Sequence, residues 1–181
     1  AKKALLDIAQ TTTSNKDYLF AVVNEFKKSE KIPLLEESFR IVKKNEPGFI
    51  LSYQVLAEIF KQQKKYSDAI KMSTNIIILE PDNGLHFSNR GQIYYHMKDY
   101  EDSLLDFNEA IRLNPDQPSA LYNKACVLSL LGKYSEALKF LKKAIIHDES
   151  FAIQARTDED FTLLKNNSST KEEFASLVFK N

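Results

Sequence analysis

Apolar residues recur at helical spacing along almost the whole chain. From Leu85 to Met97 the series Phe87, Gly91, Ile93, Tyr94 and Met97 falls on one face of a helix. The pattern breaks at Lys98-Asp99, resumes from about Tyr100 to Leu113, and stops before Asn114-Pro115. Proline disfavours helical geometry in the residue before it and lacks the N–H that a helix interior needs, so a helix pair ends there. Lys64-Lys65 and Gly132-Lys133 interrupt the neighbouring stretches in the same way. Connections this short predict antiparallel helix hairpins.

The interruptions keep a fixed interval. Pro47, Pro81 and Pro115 are each 34 residues apart, as are Tyr66, Tyr100 and Tyr134, then Ala57, Gly91 and Ala125, then Ala69, Ser103 and Ala137. Columns that recur in phase at this period indicate stacked helical hairpins, an architecture that usually binds another protein. Small residues at Ala57, Gly91 and Ala125 in the first helix of each pair, and at Ala69, Ser103 and Ala137 in the second, let the two helices approach closely. Tyr66, Tyr100 and Tyr134 open the second helix and are expected, as buried aromatics, to fill the wedge between consecutive hairpins. Tyr53, Phe87 and Leu121 open the first helix; Ile76, Ala110 and Ala144 lie near the end of the second.

These columns resemble the tetratricopeptide repeat family, whose outline is an aromatic, then Leu-Gly, then Tyr in the first helix, with Ala, Phe and a final Pro in the second. The best match runs Phe87, Arg90-Gly91, Tyr94, Ser103, Phe107, Ala110 and Pro115. Arg90 and Lys124 stand where Leu is usual, and their stems are expected to cover apolar surface while the charge reaches water. The resemblance implies an all-α fold, a right-handed superhelical array of antiparallel helix hairpins. Its repeats would be a degenerate one at 16–49 and regular ones at 50–83, 84–117 and 118–151. Residues 1–15 read as a partial repeat or N-terminal capping helix: either the natural chain extends upstream, or this helix closes the array. Leu35 stands where a small residue is usual, so the degenerate hairpin is expected to be splayed; Pro33 fits the first turn of its second helix. Residues 152–181 read as a C-terminal helical cap, with a helix start at Thr157-Asp158-Glu159-Asp160, a polar loop at 166–169 and a capping box at Thr170-Lys171-Glu172-Glu173.

Composition narrows the function classes. Twenty-five basic and twenty-five acidic residues give a formal net charge of zero, against the excess of cations that broad nucleic-acid binding needs. The longest apolar runs are too short for a transmembrane helix, so no membrane insertion is expected. A single cysteine, Cys126, allows no intrachain disulfide and fits a reducing, cytoplasmic setting. His86, His96 and His147 lack metal-ligand spacing, and no cofactor or metal site is expected. Cys126 shows no partnered base and reads as a packing or surface thiol. Asp99, Glu101, Asp102 and Asp106 cluster at a helix start, where acids oppose the helix dipole. The lysine pairs read as solvated helix ends.

What the resemblance implies about function lies on the inner face, lined mainly by first helices. Carried over position by position, the groove residues are Phe20, Asn24, Gln54, Glu58, Leu85, Ser88, Asn89, Gln92, His96, Tyr122, Asn123 and Cys126, with Tyr95 at the edge. Asn89 and Asn123 match an asparagine that hydrogen-bonds a peptide backbone in family members, a task suited to a group that both donates and accepts. One branch of the family grips chaperone C-termini with a Lys, Asn and Arg set. This chain departs from it, with Gln54 and Ser88 at the first lysine and Glu58 and Gln92 at its paired Asn. The leading expectation is a non-enzymatic scaffold that binds a protein or peptide segment in the groove, with Tyr122 as an anchor. The alternatives are a regulatory or targeting module of a larger enzyme, and self-association through Leu19, Val23 and Phe26.

Overall fold

The computed structural model describes residues 32–179, and the chain divides into two compact units, Ala1–Pro81 and Asp82–Asn181. All regular elements among the described residues are helical. The calls on the first helix of the degenerate repeat, on Leu19, Val23 and Phe26, and on residues 1–15 lie outside the described residues.

In the first unit, α1 (Ile32–Asn45) carries Pro33 in its first turn and buries Leu35, Ser38, Phe39 and Val42. Helix α2 (Ile50–Gln62) packs on α1 and pairs with α3 (Tyr66–Leu79). In the second unit, α4 (Gly84–Met97) pairs with α5 (Tyr100–Leu113), and α6 (Pro118–Leu130) pairs with α7 (Tyr134–His147), while α5 also packs on α6. Then follow α8 (Ser150–Thr157), a 3-10 turn (Glu159–Phe161), α9 (Thr162–Asn166) and α10 (Lys171–Val178).

One turn closes all three hairpins. Lys64, Lys98 and Gly132, again 34 apart, have φ of 57°, 63° and 73°, the left-handed region. The next residue donates back over the turn each time: Lys65 N to Phe60 O at 2.8 Å, Asp99 N to Tyr94 O at 3.0 Å, and Lys133 N to Leu128 O at 2.9 Å. That six-to-one bond with a left-handed residue before it is the Schellman stop, which satisfies helix-end carbonyls and turns the chain. The same residues then accept the first bonds of the second helix, from Ala69 N, Ser103 N and Ala137 N.

The small-residue columns are tightly packed. Ala69, Ser103, Ala137 and Ala125 have no exposed surface and Ala57 has 8%. A Cβ on Gly91 would come within 3.0 Å of the Phe107 ring. Ser103 Oγ donates to the Gly91 carbonyl at 2.9 Å, so its polarity is absorbed within the hairpin.

Four side-chain expectations change. Tyr66, Tyr100 and Tyr134 are only half-buried, not the buried aromatics expected. Arg90 does not reach for water: its guanidinium forks onto Asp106, Nε to Oδ2 at 2.8 Å and Nη2 to Oδ1 at 2.7 Å. Asp106 therefore serves this pair and not the helix dipole, whereas Asp99 does cap α5 by accepting from Asp102 N at 3.3 Å. Lys124 holds its ammonium 3.7 Å from the centre of the Phe140 ring, a cation–π contact, and burial lowers its pKa. The capping box at α10 does not form, because the buried Thr170 hydroxyl donates instead to the Leu164 carbonyl at 2.9 Å.

The segment after α7 belongs to the same core as the last hairpin. Ala155, Phe161, Leu164, Phe174 and Val178 join Leu121, Tyr122, Leu138, Leu141 and Ala144 in one buried cluster. Burying an aromatic or aliphatic side chain of this size contributes about 1.5–3 kcal/mol. Arg156 ties the end of α10 back to α8 by donating twice to the Val178 carbonyl, at 2.9 and 2.6 Å.

Candidate functional site

The turn between α8 and α9 crosses the face of α6. Asp158 caps it by accepting from Asp160 N at 3.0 Å, and Lys165 Nζ donates to the Asp158 carbonyl at 2.8 Å. Three side chains of α4 and α6 hold the turn in place. Tyr95 OH donates to Asp160 Oδ2 at 2.7 Å, Tyr122 OH to Asp158 Oδ2 at 2.7 Å, and Ser129 Oγ to the Asp160 carbonyl at 2.7 Å. Phe161 seals the crossing from below: it has no exposed surface and meets the Tyr122 ring edge-on at 5.7 Å.

Beside this crossing lies a cavity of about 220 Å³. It is lined by Gln92, Tyr95 and His96 of α4, Phe107 of α5, Tyr122, Asn123 and Cys126 of α6, and Gln154, Asp158 and Asp160 of the tail. Six of the groove positions expected from the sequence thus converge on one place. Gln92, Tyr95 and Asn123 are half-buried and His96 is exposed, its ring against Tyr95 with centroids 5.3 Å apart.

The other expected positions are placed differently. Leu85 and Asn89 are exposed on α4, outside this cavity; Leu85 lines a second depression with Asn83, Leu113 and Gln117. Ser88 is buried, with 1% of its surface exposed, and its hydroxyl has no hydrogen-bond partner among the described residues. Gln54 and Glu58 are half-buried on α2 in the first unit, where Glu58 accepts from Lys61 at 2.6 Å and Gln62 at 2.9 Å. Phe20 and Asn24 lie outside the described residues. Tyr122 lines the cavity, but its side chain is only 2% exposed and its ring stacks on Phe151 at 4.6 Å. The ring is held by the core and is not presented as a projecting anchor.

Gln154, Asp158 and Asp160 escaped the sequence reading. Asp158 and Asp160 were legible only as a helix start. Nothing local to them signals that the turn lies across α6, since their partners stand 31 to 65 residues earlier.

The electrostatics of the cluster are those of a hydrogen-bonded acidic site. Burial, reinforced by the hydrogen bond to Asp160, raises the Tyr95 hydroxyl far above its ordinary pKa; burial and Asp158 do the same to Tyr122. Burial raises Asp160 as well, against the opposing bond from Tyr95. Burial first, and then the charges of Asp158 and Asp160, push the Cys126 thiol well up, so it stays protonated and is a poor nucleophile. Cys126, Asp158 and Asp160 offer ligand atoms within 4.8 Å of one another. The protons of Tyr95, Tyr122 and Cys126 are directed at those carboxylates, and a metal ion would have to displace them. No helix among the described residues is long and apolar enough to cross a membrane.

The tetratricopeptide repeat family profile matches residues 86–117 and 118–151, the two hairpins that build this site. Among solved structures, MamA is similar with a TM-score of 0.72 at 15% identity, over 87% of this chain and 90% of that one. YrrB, a tetratricopeptide protein with an unusual peptide-binding site, gives 0.66 at 14% identity, over 99% and 94%. The TPR2B domain of yeast Sti1 in complex with pHsp70 gives 0.52 at 20% identity, over 72% and 93%. At such identities the likeness is one of fold. No curated protein sequence matches the chain.

Proposed function

We propose that this chain, two of whose hairpins match the tetratricopeptide repeat family profile, is a non-enzymatic scaffold that holds a segment of a partner protein on the α4–α6 face. The reading is carried by one observation: Gln92, Tyr95, His96 and Asn123, chosen as groove residues from the repeat pattern, line one open cavity together. Amide groups on the wall of a cleft can each donate and accept, which suits recognition of an extended backbone, while Tyr95 and His96 supply rigid contact area. Of the similar structures, one is described as a complex with pHsp70 and another as having a peptide-binding site, in keeping with this use of the fold. The face is bounded at the tail end, because Asp158 and Asp160 already take up the Tyr122 and Tyr95 hydroxyls. A partner segment would therefore engage Asn89, Gln92, His96 and Asn123 more than Tyr122.

The test is capture of partners on the immobilised chain beside an Asn89→Ala/Asn123→Ala variant of unchanged melting temperature. Partners retained by the wild type and lost by the variant support groove binding. Partners held equally by both would move the interface elsewhere.

A further inference from the structure

We propose that the cavity between α4, α6 and the Asp158–Phe161 turn receives an arginine side chain of the partner segment. The inference rests on the scaffold reading above and adds the chemistry of what is bound. Charge is the starting point. Asp158 and Asp160 stand together, with oxygens within 4.8 Å of each other and of Cys126 Sγ. The groups that hold them are neutral: the Tyr122 hydroxyl, the Cys126 thiol and the Asp160 N–H on Asp158, and the Tyr95 hydroxyl on Asp160. Among the described residues no lysine or arginine ion-pairs with either carboxylate. Lys165 comes near, but gives its ammonium to the carbonyls of Arg156, at 3.0 Å, and Asp158, at 2.8 Å. The hydrogen bond from Tyr95 reaches Asp160 through Oδ2.

Arg90 and Asp106 show how the fold treats a buried carboxylate elsewhere. There a forked guanidinium neutralises the acid within the hairpin. At Asp158 and Asp160 the charge is instead left facing a cleft. A cleft with low-dielectric walls and one sign of charge concentrates the opposite ion.

The walls select the kind of cation. Tyr95, half-buried, contributes accessible aromatic surface, with the buried Phe107 and Tyr122 behind it, and Gln92, Asn123 and Gln154 contribute amide groups. A guanidinium is planar, weakly hydrated and rich in donors, so it can stack on a ring while its N–H groups reach carboxylate and amide oxygens. An ammonium is a strongly hydrated point charge and loses more on entering such a site. The volume of about 220 Å³ falls below the roughly 300–1,000 Å³ of sites that enclose whole small molecules, and it suits one long side chain.

The experiment selects binders to the full chain from a random peptide library displayed on phage, then measures the selected peptides by fluorescence polarisation. The expected result is enrichment of peptides sharing an arginine. Exchanging that arginine for citrulline, its uncharged isostere, should weaken binding by at least about tenfold. Asp160→Asn should give a similar loss, with its fold checked by circular dichroism; the citrulline exchange tests the proposal on the unaltered protein if that variant folds poorly. Peptides that depend on Asn123 but share no arginine, or that bind equally with citrulline, would overturn the proposal and leave the scaffold reading standing. Peptides indifferent to both Asn123 and Asp160, or no selected peptides at all, would overturn both.

Discussion

The phenol of Tyr122 donates a 2.7 Å hydrogen bond to Asp158, 36 residues further along the chain. The same ring stacks on Phe151 and meets Phe161, so one side chain links the last regular hairpin to the segment that follows it. Replacing Tyr122 by Ala is expected to cost about 3–5 kcal/mol, whereas Tyr122→Phe, which loses only the hydroxyl, should cost about 1 kcal/mol. Urea unfolding of both variants measures this. A Tyr122→Ala protein as stable as the wild type would show that the tail does not rest on this ring.

Arg90 departs from the family's usual leucine, yet restoring leucine should weaken the fold. Asp106 is 6% exposed at its side chain and would lose its forked partner. Arg90→Leu is expected to destabilise by about 3 kcal/mol, while Arg90→Leu with Asp106→Leu should recover most of that loss, because apolar pairs often replace buried ion pairs without penalty. Denaturant midpoints of the three proteins, taken as a double-mutant cycle, decide it.

Lys64 and Lys98 occupy left-handed turn positions where Gly132 stands in the third hairpin. A Cβ costs about 1 kcal/mol in that region. Lys64→Gly and Lys98→Gly should therefore each raise stability by up to about 1 kcal/mol, offset in part by the added freedom of the unfolded chain. Gly132→Ala should lower it by a similar amount, although no atom lies within 4 Å of the new Cβ. Thermal melts that moved Lys98→Gly downward would contradict the role of the turn.

Gly91 has alanine at both equivalent positions, Ala57 and Ala125, but its own neighbour is larger. Phe107 fills the place taken by Ser73 and Leu141 in the adjoining repeats. Gly91→Ala would bring its Cβ to 3.0 Å from the Phe107 ring and 3.2 Å from Asp106 Cβ, and overpacking of this kind costs about 1–3 kcal/mol. Adding Phe107→Leu should return part of it. Additive losses in the double variant would mean that the two positions do not compensate each other.

The repeat architecture was legible because it is local. A stop, a small residue and an aromatic recurring every 34 residues report the hairpin turn and the close approach of its two helices, both made within one repeat. The resemblance to the tetratricopeptide repeat family and the all-helical fold followed from those columns. The repeat register also put Gln92, Tyr95, His96 and Asn123 on first helices of neighbouring hairpins, and these four line one cavity. Where a single residue broke the column, the register was silent about its partner. Arg90 was read as reaching water and instead meets Asp106, 16 residues on, because burial of the pair depends on how two helices face each other.

Sequence by itself thus determined the period, the hairpins, the turn residues and the faces that each helix would offer. Tertiary structure alone decided what lies across those faces. The Asp158–Phe161 turn has no repeat register to announce it. Its place on α6 is set by Phe161 entering a core built mainly from α6 and α7, and by hydroxyls 31 to 65 residues away. Contacts of that range leave no periodic trace in a chain, and here they turn an amide-lined face into an acidic cavity.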